Sequence, residues 1–377
     1  MKKCFILVPS LGIGGQEKIA LNTYLCLKHN YDVKVIVFQS RDREYESDFE
    51  VVNINCPATE QKLSKVLMQI KRAIIVAKLR KTEKPDIVYS FGLTANITNI
   101  LSGFLSQGKC IVSIHGYAGL KKTIINSFVF KAACRVICIS QEMLVKYNEL
   151  FPKNNNGVVV ENGYCIDEII RGDELCYKLN RSNNIVAMGR LTPVKRYDLL
   201  LRAFKEIKKK FDDAILTIIG DGELKDELIK LSDELKIRQS VRFLGYLENP
   251  YTELKKQDVF VLCSRNEGFP NSLIEAMACR LAIVSVDCSS GPREIISSYF
   301  SKEQIKGIEY KKFGVLVENS NDNERLVNLL SQAVCFVLSN IEIKKKYQYI
   351  GLERAINFSL SVYCDKIEKM FDEVIHS

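Results

Sequence analysis

Glu267-Gly-Phe-Pro-Asn-Ser-Leu-Ile-Glu275 places two carboxylates eight positions apart around a glycine turn. Some seventy residues upstream, Gly189-Arg190-Leu-Thr-Pro-Val-Lys195-Arg196 supplies cations behind another glycine. Arginine offers a planar fork to phosphate oxygens, and lysine a mobile point charge. A helix opening after Gly268 would add backbone N–H groups and a positive dipole end, both of which favour an anion. Glu267 has no structural reason to stand beside such an anion site, unless it accepts hydrogen bonds from hydroxyl groups. The combination suits a nucleoside diphosphate carrying a sugar: cations for the phosphates, carboxylates for vicinal hydroxyls. The bland alternatives are a solvated basic turn at 190–196 and, for Ser272-Leu-Ile-Glu275, a capping box on a helix starting near Ser272.

These residues act together only if strands deliver them. Short apolar runs rich in Val and Ile recur along the chain: Cys4–Val8, Val33–Phe38, Ile87–Ser90, Ile111–Ile114, Val136–Ile139 and Val158–Val160, then Ile185–Met188, Ile215–Ile219, Val241–Leu244, Val259–Cys263, Ala282–Val286 and Val315–Val317. Continuous rather than alternating hydrophobicity fits parallel strands buried on both faces. Helical runs such as 199–210 and 223–235 separate them. The pattern predicts an α/β fold of two doubly wound, Rossmann-like domains facing a central cleft. The expected domains are 1–168 and 169–357, with 358–377 returning to the first. The linker is expected within 165–181, where polar residues replace apolar periodicity. Ligands of open α/β sheets bind beyond the carboxyl ends of the strands, and the candidate residues follow strands.

A chain of 377 residues suits two domains. No apolar run approaches the ~18–20 residues of a membrane span, and the start Met1-Lys-Lys-Cys-Phe-Ile-Leu-Val-Pro9 reads as a first strand rather than a signal peptide. Thirteen cysteines without a Cys-x-x-Cys pair, and histidines only at 29, 115 and 376, point to reduced, buried thiols in the cytoplasm and to no metal site. Gly220-Asp221-Gly222 is a turn signal, with Asp221 a candidate helix cap. Ser289-Ser-Gly291-Pro-Arg293-Glu294 is either a lid or a helix-entry loop. Gly12-Ile-Gly14-Gly15-Gln16-Glu17 carries Glu17 where a dinucleotide fingerprint needs its third glycine.

The ordered set of motifs resembles the family 4 glycosyltransferases, which have the GT-B fold. GRLTPVKR and EGFPNSLIEAMA are similar to the family's donor-binding half, and so are GDGELKDEL at 220–228 and SSGPREI at 289–295. SLGIGGQEKIALN at 10–22 resembles its glycine loop, IHGY at 114–117 its histidine turn and VENGY at 160–164 its domain-closing strand. The resemblance implies that Arg190 and Lys195 bind the donor diphosphate, Glu275 the ribose and Glu267 the transferred sugar. It assigns support of sugar and phosphate to the backbone amides of Phe269, Pro270 and Asn271, in the loop with Gly268 and Ser272. Gly14 and Gly15 would let the first loop approach the donor, and His115 would sit by the reaction centre. It further implies retention of anomeric configuration, no cofactor and no metal. It also implies that the last ~20 residues cross back onto the first domain, as the helical run 359–374 could.

Charge is unevenly placed. Residues 1–165 hold 22 Lys and Arg against 13 Asp and Glu, whereas 166–377 are balanced at 32 each. Residues 62–84 hold eight cations (62, 65, 71, 72, 78, 80, 81, 84) and one acid, with Leu63, Val66, Leu67, Ile70, Ile74 and Leu79 near helical spacing. A basic amphipathic helix suits an anionic membrane surface, with a solvated helix packed on its own domain as the alternative. Lys121, Lys122, Lys131 and Arg135 extend the field. Without interleaved aromatic residues, nucleic acid is not expected. The expected protein is a cytoplasmic enzyme, peripheral to the inner membrane. It would move a hexose or N-acetylhexosamine from a nucleotide sugar, with UDP favoured, to a lipid-linked saccharide in polysaccharide, O-antigen or capsule synthesis. The rivals are a nucleotide-sugar 2-epimerase and a non-catalytic nucleotide-sugar-binding subunit.

Overall fold

The computed structural model describes residues 1–12, 14–40, 49–59, 61–106, 108–171 and 183–376. The chain forms two compact units, Met1–Tyr164 with Ser359–Ser377, and Cys165–Phe358. The boundary therefore falls at Tyr164/Cys165, a few residues before the expected one, and 172–182 lie outside the described residues.

The first unit runs β1 (Lys2–Val8), α1 (Gly15–Leu27), β2 (Tyr31–Val37), β3 (Val51–Asn53), α2 (Lys62–Glu83), β4 (Ile87–Phe91), α3 (Leu93–Ser106), β5 (Lys109–Ile114), α4 (Ile124–Ala132), β6 (Arg135–Cys138), α5 (Gln141–Leu150) and β7 (Gly157–Val159). Its sheet has the order β3-β2-β1-β4-β5-β6-β7, all parallel. Strand order reverses between β1 and β4, the position where such sheets bind ligands. Side-chain caps start two helices: Thr123 accepts from the Asn126 amide and Ser140 from the Met143 amide.

The second unit runs α6 (Ile166–Arg171), β8 (Asn184–Met188), α7 (Tyr197–Lys208), β9 (Ile215–Ile219), α8 (Lys225–Glu234), β10 (Val241–Gly245), α9 (Tyr251–Leu254), β11 (Val259–Leu262), α10 (Asn271–Ala278), β12 (Ala282–Val286), α11 (Pro292–Ser297), β13 (Ile308–Lys311), β14 (Gly314–Val317), α12 (Asn323–Ser339) and α13 (Ile341–Ile356). Its sheet order is β10-β9-β8-β11-β12-β14-β13, with only β13 antiparallel and the reversal between β8 and β11. The last helix, α14 (Leu360–His376), belongs to the first unit, where Phe371 packs edge-on against Tyr31 and Tyr89. Both units are thus doubly wound α/β, as periodicity predicts.

Three features differ from expectation. The sulfurs of Cys26 in α1 and Cys364 in α14 face each other, with Cα atoms 5.3 Å apart, a pairing that no motif announces. The ten other described cysteines are free. The edge strands β3 and β13 are absent from the expected set. One is three residues long, and the other, Ile308-Glu-Tyr-Lys, alternates polar and apolar residues.

The third difference is at α2, where two of the cations expected on the surface turn inward. Its inward stripe is Arg72, Ala73, Val76, Ala77 and Arg80, all buried. Arg72 donates to the carbonyls of Cys56 and Pro57 and lies 5.0 Å from the Phe38 ring centre. Arg80 donates to Asn99 and Ser102. Val66, Leu67, Ile70 and Ile74, expected as the apolar stripe of a basic helix suited to a membrane surface, are 44–60% exposed, beside the exposed Lys71 and Lys78. The inward arginines gain bonds to carbonyls and side-chain oxygens that leucines could not make, which periodicity cannot register. The side chains of Lys62 and Leu63 lie outside the described residues. No single described helix is long and apolar enough to cross a membrane. The pair α12 and α13 passes the length test only together, and it is bent by 96°.

Candidate active site

The second unit's switch point is built from the loops that follow β8 and β11. After β8 the chain turns through Gly189, exposes Arg190 and makes one turn of 3₁₀ helix at Pro193–Lys195 before Arg196 opens α7. Arg196 has a left-handed backbone, φ +53°, and is buried. Its guanidinium donates to the carbonyls of Cys263 and Ser264 and to Asn319 Oδ1, at 2.8–2.9 Å. The Arg265 amide donates to the Val194 carbonyl at 2.8 Å, and the Cys263 thiol, pushed up to about 12 by burial, donates to the Lys195 carbonyl. Four of these bonds stitch the two loops into one surface, and the fifth ties Arg196 to the loop after β14. Arg196, adjacent in sequence to the candidate Lys195, is a strut rather than a ligand group.

A third loop supports them. Leu191 donates to the Asp221 carbonyl and Gly189 to the Ile219 carbonyl, both at 2.9 Å. At Gly220, φ is +138° and a Cβ would collide with the Gly189 carbonyl. Gly-Asp-Gly is thus a close backbone approach. Asp221 does not cap α8, which starts at Lys225 behind Leu224; its carboxylate lies 3.6 Å from Lys225 Nζ.

On this platform Lys195 Nζ meets Glu267 Oε1 at 2.5 Å, with side chains 20% and 11% exposed. The Arg190 guanidinium is exposed and makes no hydrogen bond or ion pair among the described residues. Helix α10 begins at Asn271 behind Pro270, whose side chain provides no cap. Ser272 is therefore the second helical residue and Glu275 the fifth, which removes the capping-box reading. Glu275 is buried and accepts from the Tyr251 hydroxyl at 3.3 Å. Pro270 has no amide hydrogen to offer a ligand, contrary to the expectation for that position; its carbonyl accepts from the Leu273 amide. Phe269 is turned inward onto Phe358, ring centres 5.4 Å apart, which leaves only its backbone for a ligand. Gly291, φ +92°, lets the next loop close on this one, for a Cβ there would stand 2.5 Å from Pro270 Cδ. The stretch at 289–294 is a helix entry: Gly291 precedes α11, and Arg293 forms a bidentate ion pair with Asp287.

The first unit has its own switch-point cluster. Gly14, in extended backbone, precedes α1, which starts at Gly15; Ile13 lies outside the described residues. Gln16 reaches across the reversal and donates to the Phe91 carbonyl at 3.2 Å. The Phe91 ring stacks on His115, centroids 5.2 Å apart. His115 Nε2 lies 2.8 Å from Ser113 Oγ. The ring is partly open at its surface, but dense surroundings lower its pKa to about 4, so it is neutral near pH 7. A neutral imidazole can orient a hydroxyl while leaving the charge of a phosphate to others.

Arg190, Lys195, Glu267 and Glu275 therefore share the second unit, and Gly14, Gly15 and His115 the first. Sequence reasoning missed Tyr251 and Phe91, which stand in no recognisable motif, the reach of Gln16 out of the glycine loop, and the strut role of Arg196. Cations, a helix N-terminus and carboxylates at one switch point can hold a diphosphate and hydroxyl groups together. Among the described residues, no three His, Cys, Asp or Glu side chains gather as metal ligands.

The model of glycosyltransferase family 4 matches residues 13–168, and that of glycosyl transferases group 1 matches 177–335. An uncharacterized glycosyltransferase of Methanocaldococcus jannaschii is 29% identical, covering 88% of this chain and 90% of its own. The Campylobacter jejuni N-acetylgalactosamine-N,N'-diacetylbacillosaminyl-diphospho-undecaprenol 4-alpha-N-acetylgalactosaminyltransferase is 26% identical, covering 95% and 96%. Anabaena HepE, solved in complex with UDP, superposes with a TM-score of 0.76 at 17% identity, covering 99% and 100%. With two GT-B-type units of matching topology and both halves recognised in order, the chain belongs to the family 4 glycosyltransferases.

Proposed function

We propose that this enzyme moves a hexose or N-acetylhexosamine from a UDP-sugar to a lipid-diphosphate-linked saccharide, with retention and without a metal ion, in the synthesis of a cell-surface polysaccharide. The observation that carries the reading is the Lys195–Glu267 contact of 2.5 Å on the rim that also bears Arg190 and the start of α10. Cleaving the bond between the anomeric carbon and the β-phosphate oxygen leaves negative charge on the phosphate. Arg190, Lys195 and the α10 dipole stabilise that charge as it develops. Glu267 accepts from sugar hydroxyls, and Glu275, oriented by Tyr251, accepts from the ribose. The amides of Gly268, Phe269, Asn271 and Ser272 support sugar and phosphate, and Gly14 and Gly15 admit them on the first unit.

A double displacement needs a carboxylate against the anomeric carbon, and no residue is assigned to that role. The acceptor oxygen therefore attacks from the face the phosphate leaves, and its proton passes to the departing phosphate oxygen. Neutral His115 orients the sugar.

UDP is favoured by its presence in the HepE complex, and the lipid-linked acceptor by the name of the Campylobacter relative. Such an acceptor places the enzyme at the cytoplasmic face of the inner membrane, and the basic first half suits that surface. The test is incubation of the purified chain with labelled nucleotide sugars and a membrane extract. Label should enter the lipid fraction from a UDP-sugar, in the presence of a chelator. Transfer only from another nucleotide, or only after a divalent ion is restored, would refute those parts of the reading.

A further inference from the structure

From Gln61 to Gln141 the chain carries thirteen Lys and Arg against two acids, Glu83 and Asp86. Glu83 is engaged with Lys34 at 2.6 Å, and Asp86 with the Lys3 amide. Helices α2, α3 and α4 of this stretch lie side by side in the first unit. Their outer surface is apolar as well as basic. Ile124 is 91% exposed at the first turn of α4, followed by Ile125 at 55%. Phe128, one turn on, stacks on Phe104 of α3, centroids 5.6 Å apart, although both rings are largely in water. Two exposed lysines, Lys121 and Lys122, precede this ridge, and Lys131 lies in the last turn of α4.

Large contiguous apolar patches are uncommon on soluble surfaces and mark contact sites. A protein partner of ordinary composition would face the lysines with no preference. A bilayer offers acyl chains to the ridge and headgroup phosphates to the lysines. We propose that the α3–α4 ridge enters the interface of an anionic bilayer, with Phe104, Ile124, Ile125 and Phe128 below the headgroups and Lys121 and Lys122 among the phosphates. This deepens the membrane part of the proposed function and rests on it for the kind of surface met. It also extends the point of contact from α2, whose Arg72 and Arg80 are buried, to the next helices in the row.

The chain contains no tryptophan, so Ile124→Trp installs a single tryptophan, excited selectively to the red of the tyrosines. In the full-length protein its emission should shift to the blue on adding phosphatidylcholine–phosphatidylglycerol vesicles, and acyl-brominated lipid should quench it. A Phe104→Gln/Ile124→Gln pair, both at exposed positions, should lower vesicle affinity roughly tenfold or more. Unchanged emission from vesicle-bound protein would overturn the proposal, as would full binding by the double variant. A change in oligomeric mass without lipid would also overturn it, in favour of a protein partner or a second copy. Transfer from a UDP-sugar to a water-soluble acceptor is measured on the same samples without vesicles. Failure of insertion and failure of the transferase reading therefore appear in different signals.

Discussion

Glu267→Gln separates an electrostatic role for this carboxylate from a structural one, because the two predict opposite signs for UDP binding. In the free protein Glu267 engages Lys195 at 2.5 Å, with both side chains largely buried. At that distance and an effective dielectric of about 20, the gross attraction is about 6–7 kcal/mol. Desolvation and side-chain ordering offset most of it, which leaves about 1–3 kcal/mol net. A diphosphate arriving at Lys195 must compete with that carboxylate. Removing the charge should tighten UDP binding by about 1 kcal/mol, or about fivefold. It should also lower turnover with the UDP-sugar, because the acceptor of sugar hydrogen bonds is weakened. Lys195→Met should weaken UDP and reduce turnover by about 10²–10³, the usual cost of losing one preorganised charge. Calorimetric titration with UDP alone, beside steady-state rates with the UDP-sugar, reads both effects. If Glu267→Gln weakened UDP as much as Lys195→Met does, the pair would be a scaffold contact and the diphosphate assignment would fail.

The neighbouring arginines should divide by role: Arg190→Ala should cut turnover at unchanged thermal stability, whereas Arg196→Met should lose about 2–4 kcal/mol of stability through orphaned carbonyls in denaturant titration. Gly220→Ala should destabilise by more than about 2 kcal/mol, since it sets a methyl against the Gly189 carbonyl at a left-handed φ; a neutral result in the same titration would remove the close-approach reading. His115 titrates at about 4 in the folded chain and near 6.5 when unfolded. As pH falls from 6.5 to 4 the unfolded state gains a proton that the native state refuses, so stability should decline across that window and be complete above it. His115→Asn should flatten that part of the stability profile, and an unchanged slope would place the titration elsewhere.

The legible part of this chain was the part written in periodicity and local chemistry. Buried parallel strands advertise themselves as runs such as Val259–Cys263, and the loops behind them display Arg190, Lys195 and Glu267 because a site must leave its reactive groups at strand ends. What escaped was non-local. Arg72 and Arg80 read as surface charge until the carbonyl of Cys56 and the side chains of Asn99 and Ser102 are in view. Ser272-Leu-Ile-Glu275 has the spacing of a cap, yet α10 begins one residue earlier and the motif is spent inside the helix. The Cys26–Cys364 pair brings together positions 338 residues apart, a separation no local pattern reports. Tyr251 reaches Glu275 from a one-turn helix with no motif of its own.

The central claim is tested most directly by a crystal structure of the chain bound to a non-hydrolysable UDP-hexose. Phosphate oxygens should lie within hydrogen-bond distance of Arg190 and Lys195, the ribose on Glu275, and the hexose against Glu267 and the start of α10. A diphosphate seated away from the loops after β8 and β11 would contradict it.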